Sequence, residues 1–316
     1  MDSNISYEAW LQEWLRIKRD FVKEATYANY SLAICNHIAP TLGAVPLGEI
    51  DEELIQNAVL YWLDCGRIDG QGGLSEKTVK DFLIIITSSI ADAYRKMHMP
   101  FDPFKVKVPR FQRSKRIQVL SFRDQQALTY CILNDLTARN VGILLALHTG
   151  LRIGEICALQ WRDIDFDRRV LTVAKTIQRV FIRDLQGGSV TKVVIGTPKT
   201  RSSERDIPIP SFMVSILQEF DYERKEAFLL TDGPHYVEPR SYRRYFYRFL
   251  KQLGVEPMNF HGLRHTFATR LVEAGADVKT VSLLLGHASA TITLDLYVHP
   301  QIDQKRRCIE LMQLSI

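Results

Sequence analysis

The sequence predicts a mainly α-helical chain in two domains, with a small antiparallel β-sheet confined to the second. Three observations carry this. Apolar residues recur at helical spacing through roughly the first hundred positions and again toward the end of the chain. A stretch broken by three prolines, MPFDPFKVKVPR, separates the two blocks and cannot continue a helix. The β-type runs VLTVAKTI, QRVFIRD, VTKVVIG and RDIPIP all fall between residues 170 and 210. A length of 316 residues suffices for two cores. The boundaries implied are 1–103 for a helical domain, 104–118 for a basic linker and 119–316 for the second domain.

Each element follows in order. SYEAWLQEWLRIKRD sets Trp10, Trp14 and Ile17 at helical spacing, with Ser6 placed as N-cap. EATYANYSLAICNHIAPTLG is a second helix, stopped by Pro40 and Gly43. DEELIQNAVLYWLDCG and SEKTVKDFLIIITSSIADAYRKM are two more, with Ser75 at the start of the latter and the loop RIDGQGG (67–73) between them. In the second block, SFRDQQALTYCIL opens at a capping Ser121, NVGILLALHTG ends at Gly150, and LRIGEICALQ begins the next helix. The β-type runs then form the sheet, with QGG (186–188) as a turn. Helices resume with SFMVSILQEF, RSYRRYFYRFLKQLG, HGLRHTFATR, VKTVSLLLGH and TITLDLYVH, and the tail QKRRCIELMQLSI suits a short amphipathic helix.

Composition narrows the class. Apolar content of 46% and charged content of 24% are ordinary for a soluble globular protein. The longest apolar runs, FLIII (82–86) and VGILLAL (141–147), fall short of a membrane span. MDSNISYEAW has neither the basic start nor the apolar stretch of a signal peptide, so a cytoplasmic protein is expected. The five cysteines (Cys35, Cys65, Cys131, Cys157, Cys308) are scattered, which argues against a disulfide framework and a thiolate metal site. The net charge of +5 is unevenly spread. Residues 1–103 hold 9 basic and 15 acidic residues, whereas 104–117 hold six basic residues (Lys105, Lys107, Arg110, Arg113, Lys115, Arg116) and no acid. Such a stripe attracts a phosphate backbone; a solvated linker is the bland alternative.

The chemistry-bearing stretch is HGLRHTFATR (261–270), where His261, Arg264 and His265 share one helical face. A zinc hydrolase helix would need a glutamate beside the first histidine, and Gly262 stands there instead. A non-catalytic DNA-binding protein would use Arg264 only to touch phosphate. A phosphoryl-transfer enzyme would need further arginines to clamp an anionic phosphorus centre, a proton donor for the leaving alkoxide, and a nucleophile. The chain offers these. HTGLRIGEICAL puts Arg152 at a helix start with Glu155 three residues on; TPKTRSSERDIPIP carries Lys199 in a turn before a strand; LLLGH places His287 after a helix-ending glycine; LDLYVH places Tyr297 ten residues further.

The ordered set TGLRIGE, PKT, HGLRHTFAT, LLGH and the following tyrosine resembles the tyrosine recombinase family, the phage-type integrases. GTPKTRSSERDIPIP looks closest to the integrases of conjugative transposons. The resemblance covers essentially the whole chain. It implies a helical core-binding (SAM-like) domain before the linker and an α/β catalytic domain of the recombinase type after it. It implies a site-specific recombinase that cleaves and rejoins duplex DNA through a 3′-phosphotyrosyl intermediate, for integration and excision of a mobile element or for DNA inversion. Tyr297 would be the nucleophile, His261 its base, Arg152 and Arg264 the phosphate clamp, Lys199 the acid for the leaving 5′-oxygen, and His287 a phosphate donor. Glu155 and His265 would support the site. No cofactor and no metal are expected, because trading a phosphodiester for a phosphotyrosine ester conserves the bond energy. The implied partners are duplex DNA with inverted-repeat core sites and three further copies of the chain, with the tail helix either exchanged between neighbouring subunits or folded back on its own domain. Accessory DNA-bending or directionality proteins are compatible with it. Lys105, Lys107, Arg110, Arg113, Lys115, Arg116, Arg243 and Arg244 are the candidate DNA contacts. A packed aromatic face is the alternative for the helix that carries Tyr242, Tyr245 and Tyr247. Family members of mobile elements often carry a further N-terminal arm-binding domain; this chain begins at the core-binding helices. A type IB topoisomerase, which shares the chemistry, is the nearest rival.

Overall fold

The computed structural model describes residues 4–109, 117–198, 203–287, 289–297 and 309–310. The chain forms two compact units: Met1–Ser114 with Val180–Lys192, and Lys115–Arg179 with Val193–Ile316.

The first unit contains helices α1 (Tyr7–Lys18), α2 (Glu24–Ala33), α3 (Ala39–Leu42), α4 (Glu52–Cys65) and α5 (Glu76–Lys96). Ser6, Asp51 and Ser75 cap α1, α4 and α5 by accepting from a backbone N–H of the first turn. Tyr7, Trp10, Leu11 and Trp14 of α1 are buried against Phe82, Ile86 and Ile90 of α5 and its neighbours. Tyr7 and Trp10 also bond Ser89, at 2.7 and 2.8 Å. Each such side chain contributes on the order of 1.5–3 kcal/mol by leaving water. The helical pattern that the sequence stops at Pro40 and Gly43 runs past the proline and ends at Gly43. A π-helical stretch, Ile34–Ile38, links α2 to α3 just before the proline. Widening the turn there accommodates a residue that has no N–H and a ring that crowds the preceding turn.

Residues 104–109, expected to be the start of a linker, dock on this unit. Phe104, Val106 and Val108 pack on its core while Lys105 and Lys107 stay exposed. The Gln56 side chain exchanges two 2.9 Å hydrogen bonds with the Lys107 backbone, and Glu52 accepts from the Lys105 N–H at 2.8 Å. FKVKV is thus a half-buried extended segment laid along α4.

The second unit opens with α6 (Phe122–Asn134), α7 (Ala138–Thr149) and α8 (Ile153–Ala158). The β-type residues divide between two small sheets rather than one. β1 (Ile164–Asp165), β2 (Val170–Val173) and β5 (Arg205–Pro208) form an antiparallel sheet with β2 in the middle. β3 (Thr176–Arg183) and β4 (Ser189–Gly196) form a separate hairpin. The run VLTVAKTI therefore breaks at Ala174–Lys175, and its last two residues begin β3. The hairpin tip belongs to the first unit. The Ser31 hydroxyl donates to the Arg183 carbonyl and accepts from its N–H, and Lys192 pairs with Glu24.

After β5 come α9 (Ser211–Leu217), α10 (Pro239–Gln252), α11 (His261–Glu273), α12 (Val278–Leu285) and α13 (Ala290–Tyr297). α7 is apolar on nearly every side, and Val141 through Leu147 are all buried. α11 packs against α7, α12 and α13, so a polar helix is held by apolar ones. The expected tail helix 304–316 lies outside the described residues, apart from two helical residues at 309–310.

Candidate active site at two helix ends

The site grows from the C-termini of α7 and α12. Each helix stops at a glycine in the left-handed region, Gly150 (φ 68°) and Gly286 (φ 61°), where a side chain is strained. A Cβ on Gly150 would also lie 2.7 Å from Phe267 and 2.9 Å from Leu285. The last carbonyls of a helix have no partner within it and carry the negative end of its dipole. Here arginines take them. Leu284, Leu285 and Gly286 are consecutive, and their carbonyls accept from Arg205 Nε (2.6 Å), Arg264 Nη2 and Arg152 Nη2 (3.2 Å), respectively. Arg264 Nη1 also bonds the Gly150 carbonyl at 2.9 Å, joining the two helix ends.

Glu155 holds the arginines in register. Its carboxylate is 4% exposed. It bonds the Arg152 guanidinium at 2.7 Å and the Arg152 N–H at 2.9 Å, and takes both Nη atoms of Arg205 at 3.1 and 3.0 Å. Burial alone would raise its pKa, but the Arg205 hydrogen bonds and charge, aided by Arg152, hold it below the usual glutamate value.

Three histidines complete the cluster. His261 starts α11 and is exposed; His265 lies one turn on, its ring 4.6 Å away and nearly perpendicular at 87°. His287 follows Gly286, with Nδ1 2.9 Å from the Thr293 hydroxyl of α13. Although His261 reaches solvent, the protein packed around its ring removes part of its water and pushes it down to about 4, and His265, Arg264 and Arg152 add to this. The same cause, with Arg264, Arg152, His261 and Arg205, takes His287 to about 4. Burial and Arg264 also lower His265. At neutral pH the imidazoles are uncharged amid guanidinium groups, so each can take up or share a proton. Charge on Arg152 and Arg264 is felt at both His261 and His287, which marks one electrostatic cluster.

Arg152, Glu155, His261, Arg264, His265 and His287 therefore come together. Lys199 lies outside the described residues, as do Arg110, Arg113, Lys115 and Arg116. Tyr297 is the last residue of α13, and its side chain lies outside what is described. Lys175, at the break between β2 and β3, is engaged with Gln160 Oε1 at 3.1 Å. Arg243 and Arg244 are exposed on α10. That helix has a packed aromatic face and an exposed basic one. Tyr242 and Tyr245 pack inward and bond the Arg139 carbonyl and Asn140, whereas Arg240, Arg243, Arg244, Tyr247 and Arg248 face solvent. Among the described residues, no group of His, Cys, Asp and Glu could hold a metal ion, and no helix is long and apolar enough to cross a membrane.

Sequence reasoning missed Arg205 and Thr293. Strand alternation carried a signal for the first, because Arg205 shares a face of β5 with the buried Ile207. Spacing carried one for the second, since Thr293 precedes Tyr297 by one helical turn.

Comparison with known proteins agrees with this geometry. Residues 120–304 match the phage integrase family, and residues 6–63 match the phage integrase N-terminal SAM-like domain. The chain is 30% identical, over 96% of its length, to a tyrosine recombinase XerC-like protein of Caldanaerobacter subterraneus subsp. tengcongensis, and covers 80% of that protein. It is 30% identical over 51% of its length to the transposase of transposon Tn916 from Enterococcus faecalis, spanning 42% of that relative. The fold matches the Tn1549 transposon integrase in complex with circular intermediate DNA, with a TM-score of 0.74 at 23% identity over 98% of this chain and 100% of that one. It also matches a lambda integrase tetramer bound to a Holliday junction, with a TM-score of 0.60 at 19% identity over 96% and 80%. The chain belongs to the phage integrase family, the site-specific recombinases of the tyrosine type.

Proposed function

We propose that this recombinase serves the integration and excision of a mobile element, cleaving duplex DNA through Tyr297. The observation that supports this best is the seating of Arg152 and Arg264, from α8 and α11, on the adjacent carbonyls of Leu285 and Gly286, directly before His287. Two forks and an imidazole donor held at neighbouring points suit a phosphate whose non-bridging oxygens gain charge in the transition state. The Tyr297 phenol attacks the scissile phosphorus and His261, neutral at pH 7, accepts its proton. The phosphorus–oxygen bond to the 5′-oxygen breaks, Lys199 protonates that oxygen, and the 3′-phosphate stays on the tyrosine. The 5′-hydroxyl of another strand reverses these steps and releases the enzyme. Glu155 and His265 position the arginines and His261. The working unit is a tetramer in the cytoplasm, on inverted repeats, with Lys105, Lys107, Arg110, Arg113, Lys115, Arg116, Arg243 and Arg244 along the DNA backbone.

A nicked suicide duplex built from the DNA flanking the gene tests this. The parent traps a covalent protein–DNA adduct on a denaturing gel, and Tyr297→Phe traps none. Arg152→Ala slows trapping by about 10²–10³, the scale of one lost oxyanion donor. Adduct from Tyr297→Phe equal to the parent's would remove Tyr297 as nucleophile. Relaxation of supercoiled plasmid lacking the site, at the rate seen with it, would favour the topoisomerase rival.

A further inference from the structure

Thr293 is buried with no accessible surface, on the helix that ends at Tyr297. Its hydroxyl meets His287 Nδ1 at 2.9 Å. Threonine within a helix usually turns its hydroxyl onto a carbonyl of the preceding turn. Here no such bond forms among the described residues, although Thr129, Thr149 and Thr266 each bond the carbonyl four residues back, at 2.9, 2.6 and 2.8 Å. A buried hydroxyl must place its hydrogen on an acceptor, and among the described residues the imidazole nitrogen is the one it meets.

We propose that Thr293 is a positioning residue that donates its hydroxyl proton to His287 Nδ1, so that the ring carries its own hydrogen on Nε2 and presents that N–H to the phosphate. Burial, aided by the neighbouring arginines, keeps the His287 ring neutral, leaving one hydrogen to place. The placement is conditional on α13. Thr293 and Tyr297 lie four residues apart on that helix, whereas His287 lies before it. When α13 is seated, the helix that carries the nucleophile also fixes the phosphate donor. When α13 leaves, His287 loses the partner that sets its tautomer and ring angle. One hydrogen bond thereby couples nucleophile delivery to donor readiness, so a subunit with its tyrosine helix withdrawn has a weakened phosphate site as well.

The proposal rests on the recombinase roles of His287 and Tyr297 for its kinetic arm only. The first measurement needs no DNA: a long-range ¹H–¹⁵N spectrum of the imidazoles at pH 7. In the parent, His287 is a single tautomer protonated at Nε2. In Thr293→Val, nearly the same volume without the hydroxyl, the Nδ1 signal shifts and a second tautomer gains population; Thr293→Ser restores the parent pattern. The second measurement is adduct formation on the nicked duplex. Thr293→Val forms adduct about tenfold more slowly at unchanged DNA affinity, and Thr293→Ser recovers most of the rate. If Thr293→Val fails to fold, Thr293→Ala and Thr293→Ser carry the same comparison. A parent His287 protonated at Nδ1, or a slow Thr293→Val whose His287 spectrum equals the parent's, overturns the proposal. Failure of the recombinase reading looks different: the parent forms no adduct, while the tautomer result stands.

Discussion

At the residue scale, the polar cluster divides into groups that chemistry demands and groups that only packing reveals. Arg152, His261, Arg264 and His287 are legible from sequence because an anionic phosphorus centre calls for forks and imidazoles, and their spacing sets them at helix ends. Arg205 is not, because a basic residue in a loop-and-strand segment reads as surface until its partner is known. Its side chain is 6% exposed and meets a Glu155 that is equally buried. Arg205→Met leaves that carboxylate with Arg152 as its remaining partner and should destabilise the second unit by about 1–3 kcal/mol, seen as a lower urea midpoint. Arg205→Met with Glu155→Met should recover much of that loss, yet stay slow in adduct formation because Arg152 loses its guide. Recovery of both stability and rate would remove the pair from the site's architecture. The histidines give a second expectation. His261 and His287 titrate near 4 in the folded chain, against about 6.5 unfolded. Between those values the unfolded chain binds protons that the folded one refuses, so stability is full above pH 6.5 and falls as pH drops toward 4. Urea midpoints at pH 7 and pH 5 check this; an unchanged or higher midpoint at pH 5 would contradict it.

At the element scale, helix positions were legible because serine caps and 3.6-residue apolar spacing act locally. What escaped depends on partners far along the chain. A proline predicts a stop unless the turn before it widens, as at Ile34–Ile38. FKVKV reads as linker until α4 supplies Gln56 and Glu52 to bond it. The break at Ala174–Lys175 is set by which neighbouring strand pairs, since β2 joins β5 and β3 joins β4. α7 and α10 show how closely elements approach around the site. Gly142 of α7 has room for no side chain: a Cβ would lie 2.2 Å from Leu230 and 2.6 Å from the Tyr242 hydroxyl. Gly142→Ala should cost about 1–3 kcal/mol by overpacking, despite the better helix propensity of alanine, and thermal unfolding would report it. A rise in melting temperature would mean that α10 yields easily and does not fix the core.

At the scale of the whole molecule, charge and topology point to how DNA is gripped. The net charge of +5 is too small to bind a polyanion by bulk attraction, so affinity must come from where the cations sit. The described cations that fit are exposed on ordered segments: Lys105 and Lys107, outward along the FKVKV segment, and Arg243 and Arg244, outward on α10. Each segment buries its alternate or opposite face, so its cations are presented by a fixed backbone rather than a loose chain. Residues that touch phosphate release counterions, and each contributes about 0.9 to the slope of log affinity against log salt. Binding of a duplex between 50 and 200 mM salt, followed by fluorescence anisotropy, should therefore fall roughly 10³–10⁵-fold if six to ten phosphates are neutralised. Replacing Lys105 and Lys107 together by alanine should reduce the slope by about 1.8, and replacing Arg243 and Arg244 should do the same. The loss should be nearly equal for specific and unrelated duplexes, because phosphate contacts carry no sequence information. Adduct formation at saturating DNA should keep the parent rate, since none of these four residues belongs to the cluster around Arg152 and Arg264. A slope unchanged by either pair would move that pair off the DNA. A loss confined to the specific duplex would instead make it a reader of bases.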